Sequence, residues 1–339
     1  FTRDKIYRFS YLNLSLGTSI FLVGLFKKVV IADNLAPLAT PVFDAAENGE
    51  TLHMFQAWQG VIAYTFQLYF DFSGYSDMAI GLARMFGIYF PLNFNSPYKA
   101  VNIIEFWRRW HMTLSAFLRD YVYIPLGGSR KGTPRRYINL MITMFLGGLW
   151  HGAGWTFVFW GLLHGLYLVI NHGWRSVWKL RINTWWSTGI ARLVTMTFVM
   201  LAWVFFRAES FEGAKNILAG MMTIPANLAG ELGVVGDILI TIGFGINGPP
   251  VAMAELTALA PLLGWFVFVW FLPNTQQLFA KYQPAYDSKR VITGPTFLQT
   301  VFPNLYWKPR MPWSIAIGIV GGISLLSLAQ VSEFLYYQF

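Results

Sequence analysis

Long apolar runs separated by short polar connectors dominate the chain. A helix that crosses a bilayer needs about 20 mostly apolar residues. Runs near that length occupy residues 14–32, 57–70, 138–170, 190–206, 256–272 and 313–328. Residues 234–246 form a shorter, glycine-rich run whose assignment stays open. The pattern predicts an all-α polytopic membrane protein rather than a soluble domain.

The run at residues 138–170 is too long for one span. As a single helix, its 33 residues would extend about 50 Å, whereas the hydrocarbon core of a bilayer is about 30 Å thick. The run is therefore two spans, a strongly tilted helix, or a helix that breaks near Gly147 and Gly148 or near residues 152–154.

The polar connectors carry most of the positive charge. Residues 127–136 contain no acid and several basic residues, namely Arg130, Lys131, Arg135 and Arg136. Because cytoplasmic loops are enriched in Lys and Arg, this segment is the best candidate for a cytoplasmic loop. Residues 274–309 form a longer polar connector with four prolines. His53 and His172 also fall in polar connectors and are expected to be ordinary surface residues.

Composition supports one membrane-embedded domain over residues 1–339. Only 12% of the residues are charged, against about 25% in a soluble domain. The net charge is +9, and the basic residues cluster between the apolar runs. Because they form no basic face apart from the membrane segments, we expect no nucleic-acid partner. The chain has no cysteine, which excludes disulfides, thiolate nucleophiles and cysteine metal sites.

Two histidines stand in the apolar stretch MFLGGLWHGAGWTFVFWGLLHG, residues 144–165. Glycines surround Trp150 and His151, and a helix that breaks there can bring His151 to a substrate. A neutral imidazole also suits proton transfer near pH 7. The alternative is close helix packing with a histidine hydrogen-bonded across helices. His164 lies about 140° further around an ideal helix, so only a break would bring both rings to one pocket.

Residues 101–128 are predicted to form an amphipathic helix. One apolar stripe contains Ile104, Trp107, His111, Leu114 and Leu118, while Arg108 lies on another side. Glu105 and Arg109 are suitably spaced for an ion pair. A helix lying in the membrane interface would explain the arginines and tryptophans. It would not explain His111, which is therefore either functional or satisfied by a local partner.

Acidic residues also occur at membrane depth. In residues 69–87, Ser73, Asp77 and Arg84 share one helical face, and Asp71 lies elsewhere on the helix. Carboxylates in this setting are costly and are usually paired or line a wet site. Asp77 is therefore interpreted as a structural partner of Arg84, directly or through Ser73 or water, or else as part of a chemical site. The histidine spacing predicts no metal site.

Four blocks of sequence together resemble the membrane-bound O-acyltransferase family, closest to its bacterial branch that O-acetylates alginate and other exopolysaccharides. They occupy residues 69–81, 106–130, 147–165 and 333–339. The resemblance implies a helical bundle with a central funnel or tunnel. It also implies that His151 matches the family's invariant histidine and His111 its second histidine motif. Family members extend further at the amino end, and the chain starts with Phe1, so amino-terminal helices are expected to be missing.

The resemblance further implies a function. An acetyl group would pass from a cytoplasmic thioester donor, such as acetyl-coenzyme A, across a bacterial inner membrane. The acceptor would be a polysaccharide or a periplasmic acetyltransferase-type partner. We predict His151 and His111 as catalytic residues, and no bound cofactor. The predicted substrate-binding residues are Trp150, Arg108, Arg109, Asp77 and Ser73. A transporter of an acyl donor or lipid, and a purely structural membrane subunit, remain as alternatives.

Overall fold

The computed structural model describes residues 9–177, 184–229, 231–288, 297–302 and 305–328. Its helices are α1 (Tyr11–Phe26), α2 (Asp33–Glu47), α3 (Met54–Met85), α4 (Ile103–Trp107), α5 (Met112–Leu118), α6 (Thr133–His151), α7 (Trp155–Val177), α8 (Trp185–Arg207), α9 (Phe211–Gly220), α10 (Ala226–Ala229), α11 (Gly233–Thr241), α12 (Met253–Phe271), α13 (Thr275–Leu278), α14 (Phe297–Val301) and α15 (Met311–Ser327). Two short parallel strands, β1 (Thr223–Pro225) and β2 (Gly245–Gly248), pair with Thr223 opposite Gly245. The predicted all-α class is confirmed for these ranges. The sequence block at residues 333–339 lies outside them.

The first helices pack at very short range. A π-helical turn, Lys27–Ala32, joins α1 to α2, and α3 runs antiparallel beside α1. Gly17 of α1 faces Gly81 of α3, and Gly24 faces Gly74. A Cβ atom on Gly81 would lie 2.6 Å from the carbonyl oxygen of Gly17. Only glycine allows two helix backbones to approach this closely.

The amino end of α3 is capped by His53. Its ring is fully buried, and Nδ1 accepts a hydrogen bond from the backbone N–H of Gln56 at 3.3 Å. The prediction that His53 is a surface residue is therefore wrong. Because the first N–H groups of a helix lack partners within the helix, the imidazole is used here as the cap.

The long run at residues 138–170 is a broken helix. Helix α6 ends at His151 and α7 begins at Trp155, so of the alternatives considered for this run the structure has the break at residues 152–154. Gly148 lies inside α6, where it packs against Gly161 of α7. The two helices thus form a closely packed hairpin whose tip carries His151, and α8 packs against α7.

A single helix over residues 101–128 was expected, and this prediction is wrong. Helices α4 and α5 are separated by residues 108–111. The backbone groups exposed by this break bind residues 93–95, where the Asn95 N–H donates to the Arg109 carbonyl at 2.9 Å. The Met112 N–H donates to the Asn93 carbonyl at 3.0 Å. These bonds replace those that a continuous helix would have made.

Two later segments contain elements that the sequence did not assign. The run at residues 234–246 is α11 followed by a turn into β2, so it is not a span. The polar connector at residues 274–309 contains α13, a 3₁₀ turn at Ala280–Tyr282 and α14. The capped helix α13 packs its polar residues Thr275 and Gln276 inward, and both are buried.

Two helical stretches in the described ranges are long and apolar enough to cross a membrane, Tyr11–Glu47 and Trp185–Arg207. Leu259–Phe271 and Met311–Ser327 are shorter apolar helices. Large apolar side chains point outward on α15, including Ile319 at 58% and Leu326 at 82% exposure. Outward-facing apolar surface of this kind suits contact with lipid.

Candidate active site

Both predicted catalytic histidines face one small cavity. Its volume is about 20 Å³, which is enough for about one water molecule. His111 and His151 provide its polar lining, and the rest of the wall is apolar or aromatic. The other lining residues are Leu68, Phe72, Trp110, Trp160, Trp203 and Phe206. Residues on α3, α6, α7 and α8 and in the break before α5 thus meet at this point.

His151 is placed by the tip of the α6–α7 hairpin. It is the last residue of α6, and Gly152 follows as the chain leaves the helix. The imidazole packs edge to face on Trp160 and Phe206, with ring centroids 5.2 Å and 5.0 Å away. The ring is therefore oriented by bulky aromatic neighbours on α7 and α8.

His111 is placed by the break between α4 and α5. Its backbone adopts the left-handed conformation, with φ at 41°, which is uncommon for a residue other than glycine. The ring is 8% exposed and packs edge to face on Phe72 at 4.8 Å. Nδ1 lies 3.1 Å from Oδ1 of Asn93. Nε2 is buried and has no hydrogen-bond partner in the described part of the chain.

Trp150 lies against both imidazoles. Its ring centroid is 6.0 Å from that of His111 and 5.0 Å from that of His151. The side chain is 55% exposed. Trp150 thus connects the pair of histidines to the protein surface.

His164 packs against Trp160, as His151 does. Its ring centroid is 4.9 Å from Trp160, and Nδ1 accepts a hydrogen bond from the Trp107 indole N–H at 3.3 Å. The residue is fully buried and does not line the cavity. The helix break brings both histidines against the same indole but not into the same pocket.

Asp77 and Ser73 lie away from the cavity. The Asp77 carboxylate accepts hydrogen bonds from Lys27 at 2.6 Å, Thr275 at 2.7 Å and Gln276 at 2.8 Å. The interpretation that Asp77 pairs with Arg84 is therefore wrong, since the Arg84 guanidinium lies over the Tyr89 ring at 4.1 Å.

Two other polar side chains of α3, Ser73 and Asp71, differ in whether they have a partner. The Ser73 hydroxyl is buried without a hydrogen-bond partner among the described residues. The Asp71 carboxylate pairs with Lys28 at 2.5 Å, and Lys28 also contacts Asp33 at 3.2 Å. The carboxylates expected at membrane depth are thus balanced mainly by two consecutive lysines in the π-helical turn.

The two predicted substrate-binding arginines do not line the cavity either. Arg109 forms an ion pair with Glu105 at 2.6 Å and donates to the Asn95 carbonyl at 3.2 Å, so it joins α4 to residues 93–95. Arg108 is exposed. Further along, exposed Asp120 is bound by Arg119 at 2.7 Å, and this hydrogen bond lowers the pKa of Asp120.

His172 is not the surface connector residue that was predicted. It lies inside α7 and is half-buried. The Arg136 guanidinium of α6 contacts its ring, 2.9 Å from Nε2. The prediction failed because α7 continues two turns beyond the apolar run that ends at residue 170.

Several residues of the site carried no signal in the sequence. Asn93 stands in an irregular stretch, and its partner His111 follows 18 residues later. Leu68, Trp160 and Trp203 look like ordinary apolar positions of long helices. Their role as the cavity wall depends on how α3, α7 and α8 pack, which no periodicity within one helix can show.

Comparison with known proteins places the chain in a family. The sequence model of the membrane-bound O-acyltransferase family matches residues 1–209, more than half of the chain. The chain belongs to the membrane-bound O-acyltransferase family. The matched region runs from α1 through α8 and contains both cavity histidines. The family's membrane character agrees with the long apolar helices.

Curated relatives are acyltransferases of bacterial polymers. A Helicobacter pylori protein named "Peptidoglycan O-acetyltransferase" is 52% identical over 221 residues, which is 65% of this chain and 41% of the relative. An Azotobacter vinelandii protein named "Probable alginate O-acetylase AlgI" is 37% identical over 355 residues, covering 99% of this chain and 66% of the relative. A Bacillus subtilis "Teichoic acid D-alanyltransferase" is 32% identical over 159 residues, 44% of this chain and 40% of the relative. The chain therefore spans between two-fifths and two-thirds of these relatives.

Proposed function

We propose that the protein transfers an acetyl group from a thioester donor toward the hydroxyl groups of a cell-surface polysaccharide. The observation that carries this proposal is the pair His111 and His151, which come from separate elements and face one cavity. The names of the relatives support O-acyl transfer to a polymer. Alginate, another exopolysaccharide and peptidoglycan are all acceptors compatible with those names.

In the proposed reaction, a hydroxyl oxygen attacks the thioester carbonyl carbon. The C–O bond of the new ester forms and the C–S bond breaks. Neutral His151 takes the hydroxyl proton as general base, and His111 shares that proton within the cavity. The proton then goes to the departing thiolate. A positioned base of this kind typically contributes about 10²–10⁴-fold to the rate.

The carbonyl oxygen gains negative charge during the attack and needs donors. The backbone N–H of Gly154 lies in the break before α7 and makes no hydrogen bond to the described part of the chain. Together with the Trp150 indole, it is a candidate donor to this oxygen. Preorganised donors of this type often supply the largest single part of catalysis.

The proposal also names the acyl donor, the partner that receives the acetyl group and the membrane that the group crosses. Acetyl-coenzyme A is the donor, and the exposed basic residues Arg108, Arg130 and Arg135 attract its phosphates from the cytoplasmic side. The acetyl group leaves on the opposite face of the bacterial inner membrane. It passes there to a polysaccharide or to a periplasmic acetyltransferase-type partner. A central funnel would connect the two faces.

The test is substitution of His151 in the full-length protein expressed in its host. His151→Ala and His151→Gln are each expected to lower glycan acetylation by at least about 100-fold. His172→Gln serves as the matched control, because this histidine lies outside the cavity and should leave acetylation unchanged. Released acetate per cell is measured alongside the amount of protein in the membrane. Acetylation near the wild-type amount in His151→Ala, with normal insertion, would contradict the assignment.

The same protein can distinguish enzyme from transporter. Purified protein in nanodiscs is incubated with ¹⁴C-acetyl-coenzyme A and an oligosaccharide acceptor. The proposal expects a labelled ester on the acceptor, and a transporter gives no covalent product. Broken helices with polar residues at membrane depth are also found in transporters, so this measurement is essential.

A further inference from the structure

Three polar groups converge on a single atom, Oδ1 of Asn93. They are the Thr113 backbone N–H at 3.3 Å, the Thr113 hydroxyl at 2.9 Å and Nδ1 of His111 at 3.1 Å. A backbone N–H can only donate, so the Asn93 atom that faces it must be the carbonyl oxygen rather than the amide nitrogen. The orientation of the Asn93 amide is thereby fixed by its surroundings.

The orientation of the amide determines which nitrogen of His111 carries the proton. The Asn93 oxygen accepts only, so the Nδ1 atom that faces it must carry a hydrogen. In a neutral imidazole the other nitrogen then has a free lone pair. That nitrogen, Nε2, is buried without a partner in the described structure, and His111 lines the cavity that His151 also lines.

We propose that Asn93 is a positioning residue that holds His111 as the Nδ1–H tautomer, so that Nε2 offers a lone pair to the cavity. This inference rests on the proposed acyl transfer and makes it more specific. A neutral His111 of this form can accept a hydrogen bond or a proton in the cavity. It cannot donate to the thioester carbonyl. His111 is thereby assigned to the proton-accepting side of the reaction, with His151.

Asn93 also fixes the backbone that carries the ring. Its main-chain carbonyl accepts the Met112 N–H at 3.0 Å, immediately after the left-handed His111. One residue therefore binds both the backbone and the ring of this segment. His151 is the titratable group that shares the cavity lining with His111, and no carboxylate is among the described lining residues. The Asn93 amide is thus the polar group that selects the tautomer.

The direct test is ¹⁵N NMR of the full chain in nanodiscs. The chain has five histidines, so labelling with ¹⁵N-histidine gives few signals, and a His111→Gln sample identifies those of His111. The expected spectrum at neutral pH shows a protonated Nδ1 and an unprotonated Nε2. A His111 spectrum with protonated Nε2, or with both nitrogens protonated, would overturn the proposal even if the Asn93 variants failed to fold.

Two Asn93 variants give a functional test with opposite expectations. Asn93→Leu keeps the size and removes the acceptor, so we expect a mixture of tautomers and a kcat lowered by about tenfold or more, with KM little changed. Asn93→Asp keeps the acceptor and adds a negative charge that favours the imidazolium. It should retain the Nδ1–H signal and move the acid limb of the pH–activity profile to higher pH. Asn95→Ala is the control, because its amide contacts Asn274, and it should change neither measurement.

The outcomes separate this inference from the function on which it rests. If His151→Ala and His111→Gln both keep acetylation, the proposed function fails. If they abolish acetylation while Asn93→Leu keeps the wild-type kcat, pH profile and tautomer, then the function stands and the role of Asn93 is refuted.

Discussion

The close contact between α1 and α3 can be tested by replacing glycine with alanine at two sites. The replacement should destabilise the protein at the contact and should not do so at an open position elsewhere. Gly81→Ala adds a Cβ atom 2.6 Å from two backbone atoms, the Gly17 carbonyl oxygen and the Phe21 nitrogen. Both belong to the neighbouring helix and cannot rotate away. In Gly322→Ala, within α15, the new Cβ atom would meet nothing within 4 Å.

The expected magnitudes follow from two terms. Overpacking of a close contact costs about 1–3 kcal/mol, and the rigid partner at Gly81 places it in the upper half of that range. Replacing glycine by alanine within a helix returns about 1 kcal/mol. The net loss at Gly81 is therefore about 1–2 kcal/mol, or a Tm lower by about 1–3 °C for a chain of this length. At Gly322 only the second term acts, so Tm should stay the same or rise by about 1–2 °C.

Thermal unfolding of the two purified variants in the same detergent, followed by tryptophan fluorescence, measures both shifts at one scan rate. The reasoning is refuted if Gly81→Ala unfolds at or above the wild-type temperature. It is also refuted if the two variants shift by the same amount in the same direction, because the backbone contact would then have no role.

Four further predictions concern individual side chains. Asp77→Leu leaves the part-buried ammonium group of Lys27 without its carboxylate partner, so unfolding should become easier by about 1–3 kcal/mol; adding Lys27→Met should recover most of that loss in a denaturation assay. His164→Phe keeps the aromatic packing and should retain acetylation per folded molecule, and a loss beyond about tenfold would give His164 a catalytic role. His111→Gly relieves the left-handed backbone but removes a buried ring, so it should insert, melt below the wild type because of the cavity left behind, and lack acetylation. Trp203→Ala widens the cavity, and competition between acetyl and butyryl donors should show a larger butyryl fraction than in the wild type.

The sequence carries enough information to predict one helix break but not the other. Gly152 and Gly154 interrupt the apolar run directly, so the break beside His151 has a local cause. The segment around His111 keeps a helical stripe through the point where it breaks. Its break is stabilised by hydrogen bonds with the main chain of Asn93 and Asn95. This contact is tertiary, so the spacing of apolar residues within the segment cannot predict it.

The ion pairs also show that sequence spacing predicts local contacts but not distant ones. Glu105 and Arg109 are four residues apart, and their predicted ion pair is present. Asp77 was assigned to Arg84, on the same helix, but its partner Lys27 lies 50 residues away. Lys27 follows directly on the apolar helix α1, and the π-helical turn that presents it leaves no clear trace in the sequence. Local pairs can be read from spacing, whereas distant pairs require the packing of helices.

The small size of the cavity lined by His111 and His151 bears on hydrolysis of the acyl donor, the side reaction that would compete with the proposed transfer. A space that fits about one water molecule leaves no room for an acyl thioester beside a second solvent molecule. Aromatic rings must turn aside before the donor's carbonyl can reach the two imidazoles. In the proposed reaction, a donor that enters this space would leave no room for a water molecule to hydrolyse it. Under the proposed function, tight aromatic closure would thus reserve the activated acetyl group for the acceptor alcohol, and the frequency of ring movement would set an upper limit on turnover.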